Sequence, residues 1–189
     1  MRAITFIFKT SNFSTTDSST IAIQQLGRGL RLAPGKEVIA FENEVCFFLG
    51  LPEGYAVAVA NGTSALFLAL WVLQAGGKII AFPVYVCSAL RHAVKMVGGL
   101  ELLLDISRGM PNINLKALQK SGAPISIIPH MFGLPLDLSK IEGIDVVEDC
   151  AQAIGASVNQ IPVGLQGKIG IFSFYASKLM TSGGHGGMV

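Results

Sequence analysis

Charge is what this sequence has least of. Asp, Glu, Lys and Arg make up 14% of 189 residues, the net charge is +2, and neither a basic block nor aromatics interleaved with basic residues occur. Nucleic-acid binding, which needs a positive face against phosphates, gets no support. Cysteine is sparse too. Cys46, Cys87 and Cys150 are widely spaced, without CxxC pairing, and with His92, His130 and His185 they build no metal cluster by spacing. They read as reduced thiols of a reducing compartment. No apolar run approaches the roughly 18 residues of a membrane span. The run Ala3 to Phe8 behind Arg2 is too short for a signal-peptide core. A cytoplasmic protein without membrane attachment is expected. No G-x-G-x-x-G follows the first strand with an acidic residue downstream, which disfavours a Rossmann-type nucleotide binder.

Apolar residues are what it has in excess: 51% of the chain, before its 22 glycines are counted. Either most strands are buried on both faces or part of the surface expects cover. Residues 9–20 are polar and Ser/Thr-rich and read as an arm; 21–32 carry helical spacing weakened by Gly27 and Gly29. A helix is expected from Lys36 to Leu49, ended by Gly50 and Pro52. Strand and helix then alternate. Strands are expected over Tyr55–Ala60, Lys78–Phe82, Leu100–Ile106, within Pro124–Pro129, and over Ile144–Val147 and Gly170–Tyr175. Helices are expected from Asn61–Ser64 to about Leu73, and over Tyr85–Val97, Leu115–Lys120 and Leu136–Ile141. Near-continuous apolar strands between helices imply an α/β fold, a mostly parallel sheet flanked by helices. Its boundaries are an N-terminal arm and helix over 1–35 and a sheet domain over 36–189.

In such a sheet, ligands sit beyond the carboxyl ends of the strands. Asn61-Gly62-Thr63-Ser64 opens a helix there, either as a plain cap or as a phosphate cup of hydroxyls and free amides. Glu148 and Asp149 end an apolar strand. Asp149 is either a cap or the partner of a cation such as a protonated pyridine nitrogen. Lys178 lies just past the last strand among Phe172, Phe174, Tyr175, Leu179 and Met180, unusual company for a solvated lysine, with Ser173 five residues earlier. A lysine so placed can form a Schiff base. Gln152 either caps or bonds a ring hydroxyl. His130, in IIPHMFG, reads as a core or backbone-bonded histidine. Tyr85 and Cys87 sit in the turn after Pro83, where a side chain can lie against a planar ring or simply pack.

Together these stretches resemble the DegT/StrS-type sugar aminotransferases, pyridoxal-phosphate (PLP) enzymes of the aspartate-aminotransferase fold (fold type I). The matches are ANGTSALFLAL, Phe82-Pro83 with Gly98-Gly99 downstream, IIPHMFGLPLDL, VVEDCAQAIGA and VGLQGKIGIFSFYASKLMTSGGHGG, in family order over about 36–189. EDCAQ followed by FSFYASK is the specific signature. The resemblance implies that Lys178 forms the internal aldimine and shuttles the proton, that Asp149 pairs with the pyridinium nitrogen, and that Gln152 contacts the ring hydroxyl. It implies that Thr63, Ser64 and Ser173 hold the phosphate. The family's ring-stacking aromatic falls on Cys87, a departure that weakens stacking unless Tyr85 or the thiol takes its place. The lysine disfavours the dehydratase branch, which carries histidine there.

The expected function is therefore amino transfer from an amino acid, glutamate first among them, to a keto-sugar in nucleotide-sugar or amino-sugar biosynthesis, by a homodimer. Family members are about twice as long as this chain. A truncated large domain is expected, without the C-terminal small domain and its substrate-binding arginine. The alternative is a catalytically inactive remnant that binds PLP or a partner chain.

Overall fold

The computed structural model describes residues 35–189; the expected arm and the weak helix over 21–32 lie outside them. The chain divides into two compact units after Ala58. In the first, α1 (Lys36–Leu49) matches its expected bounds and ends on Gly50, whose φ of 73° supplies the left-handed cap. Glu42 Oε1 accepts the Ala58 N–H at 2.8 Å, holding the chain that leaves this helix.

The sheet belongs to the second unit. Its strands are β1 (Ala58–Val59, whose Val59 is in this unit), β2 (Ile79–Pro83), β3 (Leu100–Leu104), β4 (Ile125–Pro129), β5 (Asp145–Asp149), β8 (Ile169–Ser173) and β9 (Gly187–Met188), in the order β1-β9-β8-β5-β4-β2-β3. The pairs β2/β3, β2/β4, β4/β5 and β5/β8 are parallel, and β8/β9 is antiparallel. The α/β sheet expected from the apolar runs is thus present. Between β5 and β8, β6 (Ser157–Val158) and β7 (Ile161–Pro162) form a small antiparallel hairpin, turned by Asn159 and Gln160 at φ 51° and 67°. Neither hairpin nor β9 is foreshadowed by the sequence, since strands of two residues carry no periodicity.

Both sheet faces are buried because successive strand residues point opposite ways. Ile80, Phe82, Ile125, Ile127, Val147 and Ile171 pack under α2 (Gly62–Val72) and α3 (Ala89–Met96). Ala81, Ile128 and Val146 face the other way, under Ile113, Leu118 of α4 (Leu115–Lys120) and Leu138. Ser126, on that second face, hides its hydroxyl by donating to the Ala81 carbonyl at 3.0 Å.

Three expected elements are corrected. The first strand spans only Ala58–Val59, with Tyr55 and Val57 exposed. The helix expected from Tyr85 begins at Ala89, because pairing continues past β2 (Val84 N–H to the Leu104 carbonyl, 2.9 Å) and the chain turns only afterwards. Leu136–Ile141 is not helical. The Leu136 and Leu138 N–H groups donate instead to His130 Nδ1 and Gln166 Oε1, both at 3.1 Å, so tertiary acceptors have replaced the helical ones.

Candidate functional site

The carboxyl ends of β4, β5 and β8 and the N-terminus of α2 surround a cavity of about 680 Å³. The seven residues to which the resemblance gave cofactor roles line it: Thr63, Ser64, Cys87, Asp149, Gln152, Ser173 and Lys178.

Its first wall is a helix start. Asn61 caps α2, its Oδ1 accepting the Ser64 N–H at 2.8 Å. The first N–H groups of a helix have no intrahelical acceptor and carry the positive end of its dipole. Two glycines let this start sit against the sheet. A Cβ on Gly62 would come within 2.9 Å of the Ser173 Cβ, and one on Gly187 within 2.5 Å of the Asn61 carbonyl. Thr63, Ser64 and Ser173 thereby share one corner. The Ser64 hydroxyl donates to Asn61 Oδ1 at 3.1 Å, so the cap reading of this motif is met.

Its floor is the end of β5. Asp149 is 8% exposed and forms no ion pair among the described residues; its Oδ1 accepts the Ala151 N–H at 3.0 Å. Burial raises its pKa above its ordinary value, against the weaker pull of the Ala151 N–H and the Lys178 charge. A buried carboxylate without a matched cation favours a ligand that brings one. Gln152 Oε1 accepts the Phe132 N–H at 2.9 Å, which leaves the amide nitrogen, with only the Met131 sulfur at 4.0 Å, as its free donor.

Behind the floor lies a buried polar clasp that sequence reasoning missed. Glu148 is fully buried and accepts from His130 Nε2 at 2.9 Å and from the N–H groups of Gly164, Gln166 and Gly167 at 3.0, 2.7 and 2.6 Å. Burial pushes its pKa up, but the hydrogen bonds from His130 and the backbone N–H groups outweigh it and hold the carboxyl below its ordinary value. His130 Nδ1 accepts the Leu136 N–H, so the neutral ring carries its proton on Nε2 and donates to Glu148. The expectation of a core, backbone-bonded histidine is met. His130, Glu148 and Cys150 offer ligand atoms within 4.8 Å of one another. They are a hydrogen-bonded core all the same. Nε2 has a proton where a metal would need a lone pair, and burial beside two carboxylates pushes the Cys150 thiol up, keeping it neutral. The signal available in the sequence was the Glu-Asp pair itself: on a strand the two side chains point to opposite sides, so one of them has to be satisfied away from the cavity.

Its rim follows β8. That strand stops at Ser173, and a turn closed by the Lys178 N–H on the Tyr175 carbonyl at 2.9 Å brings Lys178 to the cavity. Cys87 lines the opening and is exposed, whereas Tyr85 is 52% exposed and takes no part in the lining. Tyr175 and His185, which the sequence did not single out, complete the rim, their ring centroids 5.1 Å apart.

Residues 15–189 match the DegT/DnrJ/EryC1/StrS aminotransferase family. Over 165 residues the chain is 38% identical to the UDP-N-acetyl-3-dehydro-alpha-D-glucosamine 3-aminotransferase of Acidithiobacillus ferrooxidans, covering 82% of this chain and 44% of that one. The solved aminotransferase of Psychrobacter cryohalolentis superposes with a TM-score of 0.80 at 30% identity, over 93% of this chain and 47% of that chain. A Streptococcus pneumoniae protein in its PLP form superposes at 0.78 over 93% of this chain and 51% of that one; at 21% identity the likeness bears on the fold alone. The chain thus spans about half the length of the relatives it matches. A family match over most of the chain, on the fold just described, shows that the chain belongs to the DegT/DnrJ/EryC1/StrS aminotransferase family.

Proposed function

We propose that this chain builds the cofactor floor of a PLP-dependent aminotransferase of nucleotide-sugar or amino-sugar biosynthesis. The amino donor is an amino acid, with glutamate expected, and the acceptor is a keto-sugar. The A. ferrooxidans relative, named for amino transfer to a UDP-linked dehydro-sugar, supports that substrate class. One observation carries the proposal: a single cavity holds an unpaired buried carboxylate, a lysine, and a hydroxyl-lined helix start.

These residues fit PLP group by group. Asp149 offers the pyridine nitrogen a carboxylate that forms no ion pair among the described residues. Thr63, Ser173 and the α2 amides offer the phosphate donors, joined by Ser64 if its hydroxyl turns from Asn61. Gln152 presents its amide nitrogen to the ring hydroxyl. Cys87 borders the opening where a thiol can lie on the ring face. Lys178 is the covalent anchor and moves the proton at the reacting carbon through Nζ, as general acid–base catalysis requires. Bound there, the cofactor supplies an electron sink for negative charge at the substrate carbon. In the same proposal two copies of the protein pair, in the cytoplasm.

The test is chemical. Incubated with PLP, the protein should develop visible absorbance, and borohydride should leave a cofactor mass on Lys178 in a peptide map. A Lys178→Ala protein that keeps the same reducible adduct would sink the assignment.

A further inference from the structure

The cavity has a second set of donors that the cofactor roles leave unused. Tyr175 and Ser177, in the turn that carries Lys178, and His185 also line the cavity. No hydrogen bond to the His185 ring is formed among the described residues, and the ring is exposed. Its loop is nonetheless firmly held. Phe174 N–H donates to the Gly186 carbonyl at 2.8 Å, Ala176 N–H to the Gly184 carbonyl at 3.0 Å, and Ser182 Oγ to the His185 carbonyl at 3.0 Å. A Cβ on Gly186 would come within 2.6 Å of Ser182 Oγ and 3.2 Å of the Phe174 Cβ, so the loop packs closely there. The imidazole is presented against the Tyr175 ring on a pinned backbone, which lowers the ordering cost of binding.

The charges are arranged to match. The cavity's acid, Asp149, is at the floor, and its other histidine, His130, is committed to Glu148 and the Leu136 N–H. Apart from Lys178, the rim therefore holds one uncommitted imidazole and two hydroxyls, with no carboxylate among them. We propose that His185, with Tyr175 and Ser177, forms an oxyanion-binding subsite for the substrate: a carboxylate of the amino donor or a phosphate of the sugar nucleotide. His185 is its specificity-determining donor. This rests on the function proposed above, which assigns Lys178 and the α2 corner to the cofactor.

The test uses the full 189-residue chain loaded with PLP, so that the phosphate corner is filled. Glutarate, an unreactive dicarboxylate, and UDP are titrated by calorimetry against wild type, His185→Phe and His185→Gln. Phenylalanine keeps the ring contact with Tyr175 and loses the donor; glutamine keeps a donor and loses the ring. Binding of one or both probes should weaken about tenfold in His185→Phe and much less in His185→Gln. Loss with glutarate alone assigns the subsite to the donor, and loss with UDP alone to the nucleotide. Equal binding by all three proteins, a larger loss in His185→Gln, or no binding of either probe to PLP-loaded wild type overturns the subsite. If PLP never attaches to Lys178, the parent proposal fails first and the subsite with it. Thermal midpoints of the three proteins, expected within a few degrees of each other, confirm that each is folded.

Discussion

Two adjacent carboxylates, Glu148 and Asp149, show how neighbouring side chains acquire opposite behaviour. Glu148 meets four donors and ionises easily; Asp149 meets one and ionises reluctantly. The signs of their pH dependence differ accordingly. The depressed pKa of Glu148 means its stabilisation is present above the unfolded carboxylate pKa and is lost as pH falls through the folded one. The raised pKa of Asp149 means stability is full below the unfolded value and declines as pH rises through the folded one. Asp149→Asn should remove that second decline, leaving the apo protein's thermal midpoint flatter as pH rises above the ordinary carboxylate pKa, while PLP retention on dialysis weakens. Unchanged retention would reduce Asp149 to a cap for Ala151. Glu148→Ala leaves three N–H groups and a histidine without an acceptor. It should cost about 3 kcal/mol or more in urea unfolding, the scale of breaking a buried pair. A loss below about 1 kcal/mol would mean that water replaces the carboxylate without penalty.

At the scale of elements, the helix start matters more than the helix. α2 is apolar around its whole circumference and contributes Ala65, Leu66, Ala69 and Leu70 to the core. Its chemistry resides in the junction where Gly62 approaches β8. Gly62→Ala should push the α2 amides away from Ser173, because the added methyl arrives at 2.9 Å from the Ser173 Cβ. The expected stability loss is about 1–3 kcal/mol, as for overpacking. PLP affinity should fall further than that alone explains, since the displaced groups are the proposed phosphate donors. Equilibrium titration with PLP checks this, and an affinity equal to wild type would place the phosphate elsewhere. The segment 134–141 teaches the complementary lesson: Leu136 and Leu138 cover the sheet without helical structure, because His130 and Gln166 accept their N–H groups.

For the whole molecule, a ligand that binds only the folded chain stabilises it by mass action. PLP at about 100 times its dissociation constant should add about 2.7 kcal/mol, a rise of several degrees in thermal midpoint for a chain of this size. Lys178→Ala should show a smaller rise at the same PLP concentration. No shift in wild type would contradict a preformed cofactor floor. The apolar excess of the sequence is partly surface: Trp71 and Val72 on α2 and Leu100 and Leu103 on β3 remain exposed.

Much of this was legible in the residues. Apolar strands flanked by turn residues specified a parallel sheet, because burial on both faces leaves no room for alternation. That the seven candidate residues would meet at one cavity was legible because strand ends and a helix start converge on one edge in any such sheet, and because EDCAQ and FSFYASK are specific. Tertiary structure alone decided the rest. Which of two adjacent acids faces the cavity depends on the loop donors, Gly164, Gln166 and Gly167, that reach Glu148 from 16–19 residues away. That His185 stands at the rim depends on a loop fastened to Phe174 and Ala176. Local pattern encodes burial and period; it does not encode which distant N–H group meets which side chain, and that pairing separates the structural Glu148 from Asp149 at the site.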